Sequence, residues 1–260
     1  MSFRDEDLTE DGFLGGRLRI LQPRDGYRAA GDPVFLAAAV PARPGDRVLE
    51  LGCGAGVASL CLAVRVPGVL LAGLERQADY ADLARRNGAL NGLAFQVEDG
   101  DLAQMPAGLR AKSFDHVIAN PPFYAADGGT SARDPGREAA LREATPLALW
   151  VGAGLRRLVP GGWLTMVLSA DRLPDLLAAM GDQAGSIAVL PLASRVGRSA
   201  NRVILRARKG GRGRFVLLAP FVLHGGEAHD TDRDSFTQPA RAILRDGAVL
   251  EGFEASGVAP

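Results

Sequence analysis

The 260-residue sequence holds only two cysteines, two lysines and three histidines, and its formal net charge is zero. Cys53 and Cys61 cannot form the disulfide framework of a small secreted fold in so long a chain, and their apolar neighbours fit small buried thiols. His116, His224 and His229 are scattered without metal-ligand spacing, so no metal site is expected. Apolar runs fall short of the roughly 18 residues that a membrane span requires. The opening "MSFRDEDLTEDGF" is acidic and polar, without the basic and apolar regions of a secretory leader; a cytoplasmic location with no membrane partner is expected. Neutrality also argues against a general nucleic-acid coat.

Lysine scarcity leaves arginine to carry nearly all the positive charge, and that charge is concentrated. Between Arg195 and Arg214 there are eight basic residues and no acid. The arginine fork matches phosphate bidentately, which lysine cannot do. The stretch reads either as a phosphate-holding patch, with Arg198, Arg202, Arg206 and Arg208 at its centre, or as an edge strand guarded by charge.

Short apolar runs alternate with helical patterns. "RVLELG" (47–52), "GVLLAGLE" (68–75), "LAFQVE" (93–98), "FDHVIAN" (114–120) and "WLTMVLS" (163–169) read as strands buried on both faces. Between them, "ASLCLAVRV", "RQADYADLARRNGAL", a segment opening at Thr145-Pro146 and running through Leu158, and "RLPDLLAAM" read as helices. Asp32-Pro33 looks like an N-cap followed by Pro at the first helical position. Pro160-Gly161-Gly162 reads as a turn. "SIAVLPL", "NRVILRAR" and "RFVLLAP" close the chain as strands without helices, which suggests antiparallel pairing at one edge. The alternation predicts an α/β fold, a Rossmann-like doubly wound and mostly parallel sheet. A segment 1–45 would precede a main domain 46–246, with a tail 247–260. The loop 126–137, rich in Gly, Asp and Ser, reads as a flap or an ordinary connection.

"ELGCGAGVAS" places Gly52, Cys53, Gly54 and Gly56 between the first of these strands and a helix, where a ligand would need close backbone approach. The dinucleotide fingerprint G-x-G-x-x-G would need Gly at position 57, which is Val57 here. Glu50 precedes the loop and suits an ammonium group. Glu75 ends the next strand, where a carboxylate accepts from both ribose hydroxyls of an adenosine ligand. Acid, glycine loop and second acid together favour S-adenosylmethionine over a pyrophosphate cofactor.

"NPPF" (120–123) ends the fourth of these strands. The side-chain carbonyl of Asn120 and the main-chain carbonyl of Pro121 are two acceptors that can hold an exocyclic amine. Pro121 and Pro122 restrict the backbone into a stiff bracket. Phe123 offers a flat face for a base.

"VLELGCGAGVASLCLA" with "GLE" resembles the class I S-adenosylmethionine-dependent methyltransferases, and "NPPF" is similar to their N-P-P-[YF] motif for planar nitrogens. The resemblance implies a seven-stranded sheet with the last strand antiparallel. It also implies that Asp101, in "DGDLAQM", receives the adenine amine with Leu102 packing nearby; Asp99 is the alternative. "LQPRDGYRAAGDPVFLAAAVP", "SANRVILRARKGG" and "SFTQPARAILRDG" resemble the bacterial tRNA-valine (adenine-N6)-methyltransferases, which implies that Tyr27 and Arg28 lie near the cofactor. The expected function is methylation of an adenosine N6 in RNA, most directly tRNA near the anticodon. A protein-glutamine methyltransferase acting on release factors and a non-catalytic RNA-binding protein of the same fold are the alternatives.

Overall fold

The computed structural model of the chain describes residues 2–122, 145–226 and 235–253. It opens with an antiparallel hairpin, β1 (Leu8–Phe13) and β2 (Leu18–Pro23), that forms its own two-stranded sheet. Leu18, Ile20 and Gln22 turn inward at period two and pack the hairpin onto the main domain. Helix α1 (Asp32–Ala39) follows. Its N-cap is Gly31, not Asp32 as expected; Asp32 lies inside the first turn, and its carboxylate accepts from Arg202 Nε at 3.2 Å.

The main sheet is built from β3 (Arg47–Leu51), β4 (Leu70–Glu75), β5 (Phe95–Asp99), β6 (Phe114–Ala119), β7 (Leu158–Ser169), β8 (Ala184–Ala193) and β9 (Arg202–Lys209). Two-residue strands β10 (Val216–Leu217) and β11 (Phe221–Val222) bring the total to nine. The order is β10-β8-β9-β7-β6-β3-β4-β5, with β11 also on β8. β9 is antiparallel to both β7 and β8, and the other main-sheet pairings are parallel. The expected doubly wound sheet with an antiparallel last long strand is present. That strand lies inside the sheet rather than at an edge, and "RFVLLAP" contributes only the short β10 and no antiparallel pair. The Pro160–Gly162 turn is instead part of β7, which starts at Leu158 and shifts register against β6.

Apolar cores cover both faces. Helix α2 (Val57–Arg65), α1 and the hairpin share one core, and α3 (Ala78–Leu90) contributes Tyr80 and Leu83 to it. On the other face lie α4 (Ala107–Arg110), α5 (Leu147–Arg157) and α6 (Leu173–Met180). In α5, Leu147, Trp150, Val151, Gly154 and Leu155 form the buried stripe. This helix starts after Pro146 and ends at Arg157, within the expected span. Helix α7 (Gln238–Asp246) is capped by Thr237 Oγ1, which accepts from the Ala240 N–H at 3.3 Å. Residues 247–253 are not a tail, because Leu250 and Phe253 are buried in the core.

The position of β9 corrects the arginine patch. Between two neighbouring strands, alternate residues must face a core. Arg206 is 6% exposed, its guanidinium 4.9 Å from the Trp163 ring centre and 4.7 Å from that of Phe253. It is a core cation held by aromatic faces, not a phosphate contact. Arg208 is half-buried and donates to the Gly161 carbonyl, and half-buried Arg202 pairs with Asp32. Arg198 is exposed, on the loop from β8 to β9.

Candidate functional site

Strands β3, β4 and β6 end together, and a cleft open to solvent lies over their carboxyl ends. This is the usual ligand position in an open α/β sheet. The backbone after β3 turns back onto β4, with Gly52 N–H and Cys53 N–H both donating to the Leu74 carbonyl. Gly52 has φ +64°, and an added Cβ would lie 2.6 Å from Trp150 Cη2. Gly54 has φ +53°, and an added Cβ there would meet no atom of the chain within 4 Å. The first glycine is thus required by the protein, while the second faces open space in a loop that lines the cleft. Gly52→Ala is expected to lose about 1–2 kcal/mol from the backbone conformation alone, with a further loss from displacing Trp150. A lowered melting midpoint together with weakened cofactor binding would register it.

Glu75 binds this loop. Its Oε2 accepts from Gly54 N–H at 2.8 Å and its Oε1 from Gln77 N–H at 2.9 Å. Each oxygen keeps a lone pair for a ligand hydroxyl. Burial raises the Glu75 pKa above the usual carboxylate value. Glu50 is 3% exposed, and its Oε2 accepts from both the N–H and the hydroxyl of Ser59, at 3.0 and 2.5 Å. Ser59 lies in the first turn of α2, where free N–H groups favour a carboxylate. Even so, burial pushes the Glu50 pKa up to about 7. Ser59 was not among the expected site residues; its only signal is a lone hydroxyl in an apolar helix.

Tyr27 lines the cleft, and its backbone is locked by Tyr80: Tyr27 N–H donates to the Tyr80 hydroxyl at 2.8 Å. Burial, with Asp32 and Glu50 nearby, pushes the Tyr27 phenol up to about 12. Arg28 does not reach the cleft, contrary to expectation. Its guanidinium is used inside the hairpin region, donating to Thr9 Oγ1, the Pro23 carbonyl and Asp11. Asp101 and Leu102 both line the cleft; Asp99, the alternative, is paired with Arg85 and does not. Cys53 lines it as well, its thiol pushed well up by burial and therefore unreactive.

Asn120, Pro121 and Pro122 form the wall beside the glycine loop. Leu51 pairs with Ala119, so Gly52 and Asn120 follow directly from adjacent partners. Asn120 Oδ1 is buried with no hydrogen-bond partner among the described residues. Native structures rarely leave such an acceptor unmatched. Phe123 and the loop 126–137 lie outside the described residues. Among the described residues no three His, Cys, Asp or Glu are placed to hold a metal, and no helix is long and apolar enough to cross a membrane.

Residues 33–174 match the family described as Methyltransferase small domain. The chain is similar to the tRNA1(Val) (adenine(37)-N6)-methyltransferase of Aeromonas hydrophila, 28% identical over 202 residues that cover 76% of this chain and 84% of that protein. It is also similar to the ribosomal RNA small subunit methyltransferase C of Salmonella arizonae, 31% identical over 166 residues, 64% of this chain and 43% of that protein. Among solved structures, a predicted O-methyltransferase from Agrobacterium tumefaciens superposes with a TM-score of 0.68 at 25% identity, covering 84% of this chain and 98% of that one.

Proposed function

The chain belongs to the methyltransferase small-domain family, and from that we propose that it methylates the exocyclic N6 of an RNA adenosine, in tRNA near the anticodon, using S-adenosylmethionine. When bound, that cofactor supplies a methyl carbon on a positively charged sulfonium. Glu50 would face its ammonium, Glu75 its ribose hydroxyls, and Asp101 with Leu102 its adenine, all of them lining one cleft.

The observation that carries the reading is the orphan Asn120 Oδ1 at the head of two prolines. An adenine amine is a poor nucleophile because its lone pair is delocalised into the ring. Acceptors on its two N–H bonds, Asn120 Oδ1 and the Pro121 carbonyl, would hold it pyramidal and free the lone pair for transfer. The prolines fix those oxygens in advance, so no reorganisation is needed during reaction. The amine proton leaves to solvent after transfer, and no strong base is required. The similarity to the Aeromonas tRNA enzyme, which spans most of both chains, supports the nucleic-acid substrate.

Labelled cofactor incubated with total tRNA from a strain lacking the protein tests this. Label recovered in N6-methyladenosine is expected. Label in a guanosine, or in a protein glutamine, would replace the assignment.

Of the four expected arginines, Arg198 alone is exposed. The loop that carries it lies at the carboxyl edge of the parallel strands, on the side of the cleft. We assign it to an RNA phosphate. Arg198→Glu is expected to weaken RNA binding and flatten the salt dependence by about one unit of slope. Arg206→Glu would instead lower the melting midpoint, because it replaces a core cation stacked on Trp163. An unchanged slope in Arg198→Glu would remove that arginine from the interface.

A further inference from the structure

Residues 209–215, "KGGRGRF", belong to the basic stretch but lie away from the cleft. They lead from β9 to the edge strand β10 and are fastened to a bulge in β8. The bulge lies between Gly185 and Ala188, and Ser186 within it has φ +49°. Ser186 N–H donates to the Gly213 carbonyl at 3.2 Å, and Gly213 N–H donates to Ser186 Oγ at 2.9 Å. An added Cβ on Gly213 would lie 2.7 Å from Ser186 Oγ, and one on Gly211 2.9 Å from the Gly185 carbonyl. Both glycines are therefore required against β8, and they fix the backbone that carries the arginines. Arg212 and Arg214 are exposed, and neither has an ion-pair partner among the described residues. Arg208 and Lys209, just before them, instead donate to the Gly161 and Leu158 carbonyls. Phe215 is 50% exposed, and Leu217, two residues on, is 62% exposed.

Charge alone would guard an edge strand against pairing, but a guard needs no large apolar side chains beside it. A second copy of the chain, paired through this edge about a twofold axis, would bring like arginines together. RNA suits all three groups. Each free guanidinium matches a phosphate bidentately, and an exposed aromatic ring beside basic residues gives an unpaired base a face to stack on. We propose that Arg212, Arg214 and Phe215 form a second RNA contact, remote from the cleft, that holds the body of the substrate. This rests on the proposed function, which makes RNA the substrate. β8 runs in the direction of β6, so Ala193 ends it on the cleft side of the sheet. Gly213 is level with Ser186, seven residues before that end, and β10 stands four strands from β6. At about 4.8 Å per strand and about 3.3 Å per residue, the patch is roughly 30 Å from Asn120. A lone nucleotide in the cleft cannot reach it. A folded RNA can, with its target loop in the cleft and its backbone along the sheet edge. The contact then adds affinity without reading the target base.

Arg212→Gln combined with Arg214→Gln, and Phe215→Ala separately, test this on the full chain. With total tRNA from a strain lacking the protein, KM should rise about tenfold in the double variant and severalfold in Phe215→Ala. kcat and the Kd for S-adenosylmethionine should not change in either, and Phe215→Trp should restore the wild-type KM. The salt dependence of tRNA binding should be shallower by about two units of slope in the double variant and unaltered in Phe215→Ala. On a trinucleotide with a central adenosine, too short to reach the patch, kcat/KM should match wild type in both variants. Unchanged KM and slope on tRNA would leave the arginines as edge guards and overturn the contact. An equal loss on the trinucleotide would overturn it as well. So would a wild-type dimer in sedimentation that Phe215→Ala converts to monomer, which would make this edge an interface between copies. If wild type methylates no adenosine, the function reading falls, and tRNA binding alone judges the contact: a shallower slope in the double variant supports it, and an equal slope overturns it.

Discussion

Asn120→Ala is expected to cut methyl transfer by about 10²–10³-fold, the scale seen when one preorganised polar contact to a reacting group is removed, while S-adenosylmethionine still binds. The acceptor Oδ1 has no partner among the described residues. A protein that keeps such an atom carries a cost of about 1–3 kcal/mol, which a bound amine would offset. The variant should therefore melt no lower than wild type, and even higher, as it loses rate. That combination separates a catalytic acceptor from a structural one, whose removal would lower rate and stability together. The measurements are single-turnover transfer at saturating cofactor, calorimetric Kd and a thermal melt. Near wild-type turnover, or a Kd that weakens in step with the rate, would end the catalytic role of this residue.

The strands and the glycine loop were legible because they depend on local features. Apolar runs of five or six residues bounded by Gly or Pro can hardly be anything but buried strands, and Gly52, Gly54 and Gly56 mark a loop that turns where side chains cannot go. Asn120 was legible for a similar reason, since a strand ending in Asn-Pro-Pro has little freedom. The hairpin β1–β2 was not legible. Its first strand carries Glu10, Asp11 and Gly12 and is half-exposed, and its inward residues make only a short alternation. It is stabilised by distant partners, such as Asn87 Oδ1 accepting from Leu21 N–H at 2.7 Å and Asn91 Oδ1 from Arg19 N–H at 2.9 Å. Separations of 66 and 72 residues leave no local trace.

The arginines show the same limit from the other side. "RVILRAR" spaces Arg202, Arg206 and Arg208 on one face, which an edge strand would expose. Insertion of β9 between β7 and β8 turns that face toward Trp163 and Phe253 instead. Strand order is a property of the whole sheet, and charge patterning along one segment does not encode it. Arg28 fails similarly: the family resemblance implied a cofactor contact, but Asp11 on the hairpin takes its guanidinium.

Glu50 makes the cofactor site sensitive to pH, and the sign can be worked out. Its carboxyl titrates near 7 in the folded chain, raised by burial from the ordinary 4.5. Between those values the folded state keeps a proton that the unfolded chain has lost. The contribution of Glu50 to the stability of the cofactor-free protein should thus fall as pH rises from about 4.5 to 7, by roughly 3 kcal/mol, and level off above, a slope that Glu50→Gln removes. A bound ammonium reverses the preference, because a nearby cation favours the carboxylate. Binding below pH 7 must then expel the proton, and affinity should climb with pH toward 7, at most about tenfold per unit, before becoming flat. Calorimetry at pH 6 in two buffers of different ionisation enthalpy should show close to one proton released, against none at pH 8. Glu50→Gln should abolish both the release and the slope. It should also weaken binding at pH 8 by about 10² or more, as expected when a buried charge loses its partner. Glu75 shares the cleft and is also raised, yet its expected ligands are neutral hydroxyls that exert no comparable pull. If Glu50→Gln released the same proton at pH 6, Glu75 would be its source and the ammonium would have to be placed elsewhere in the cleft.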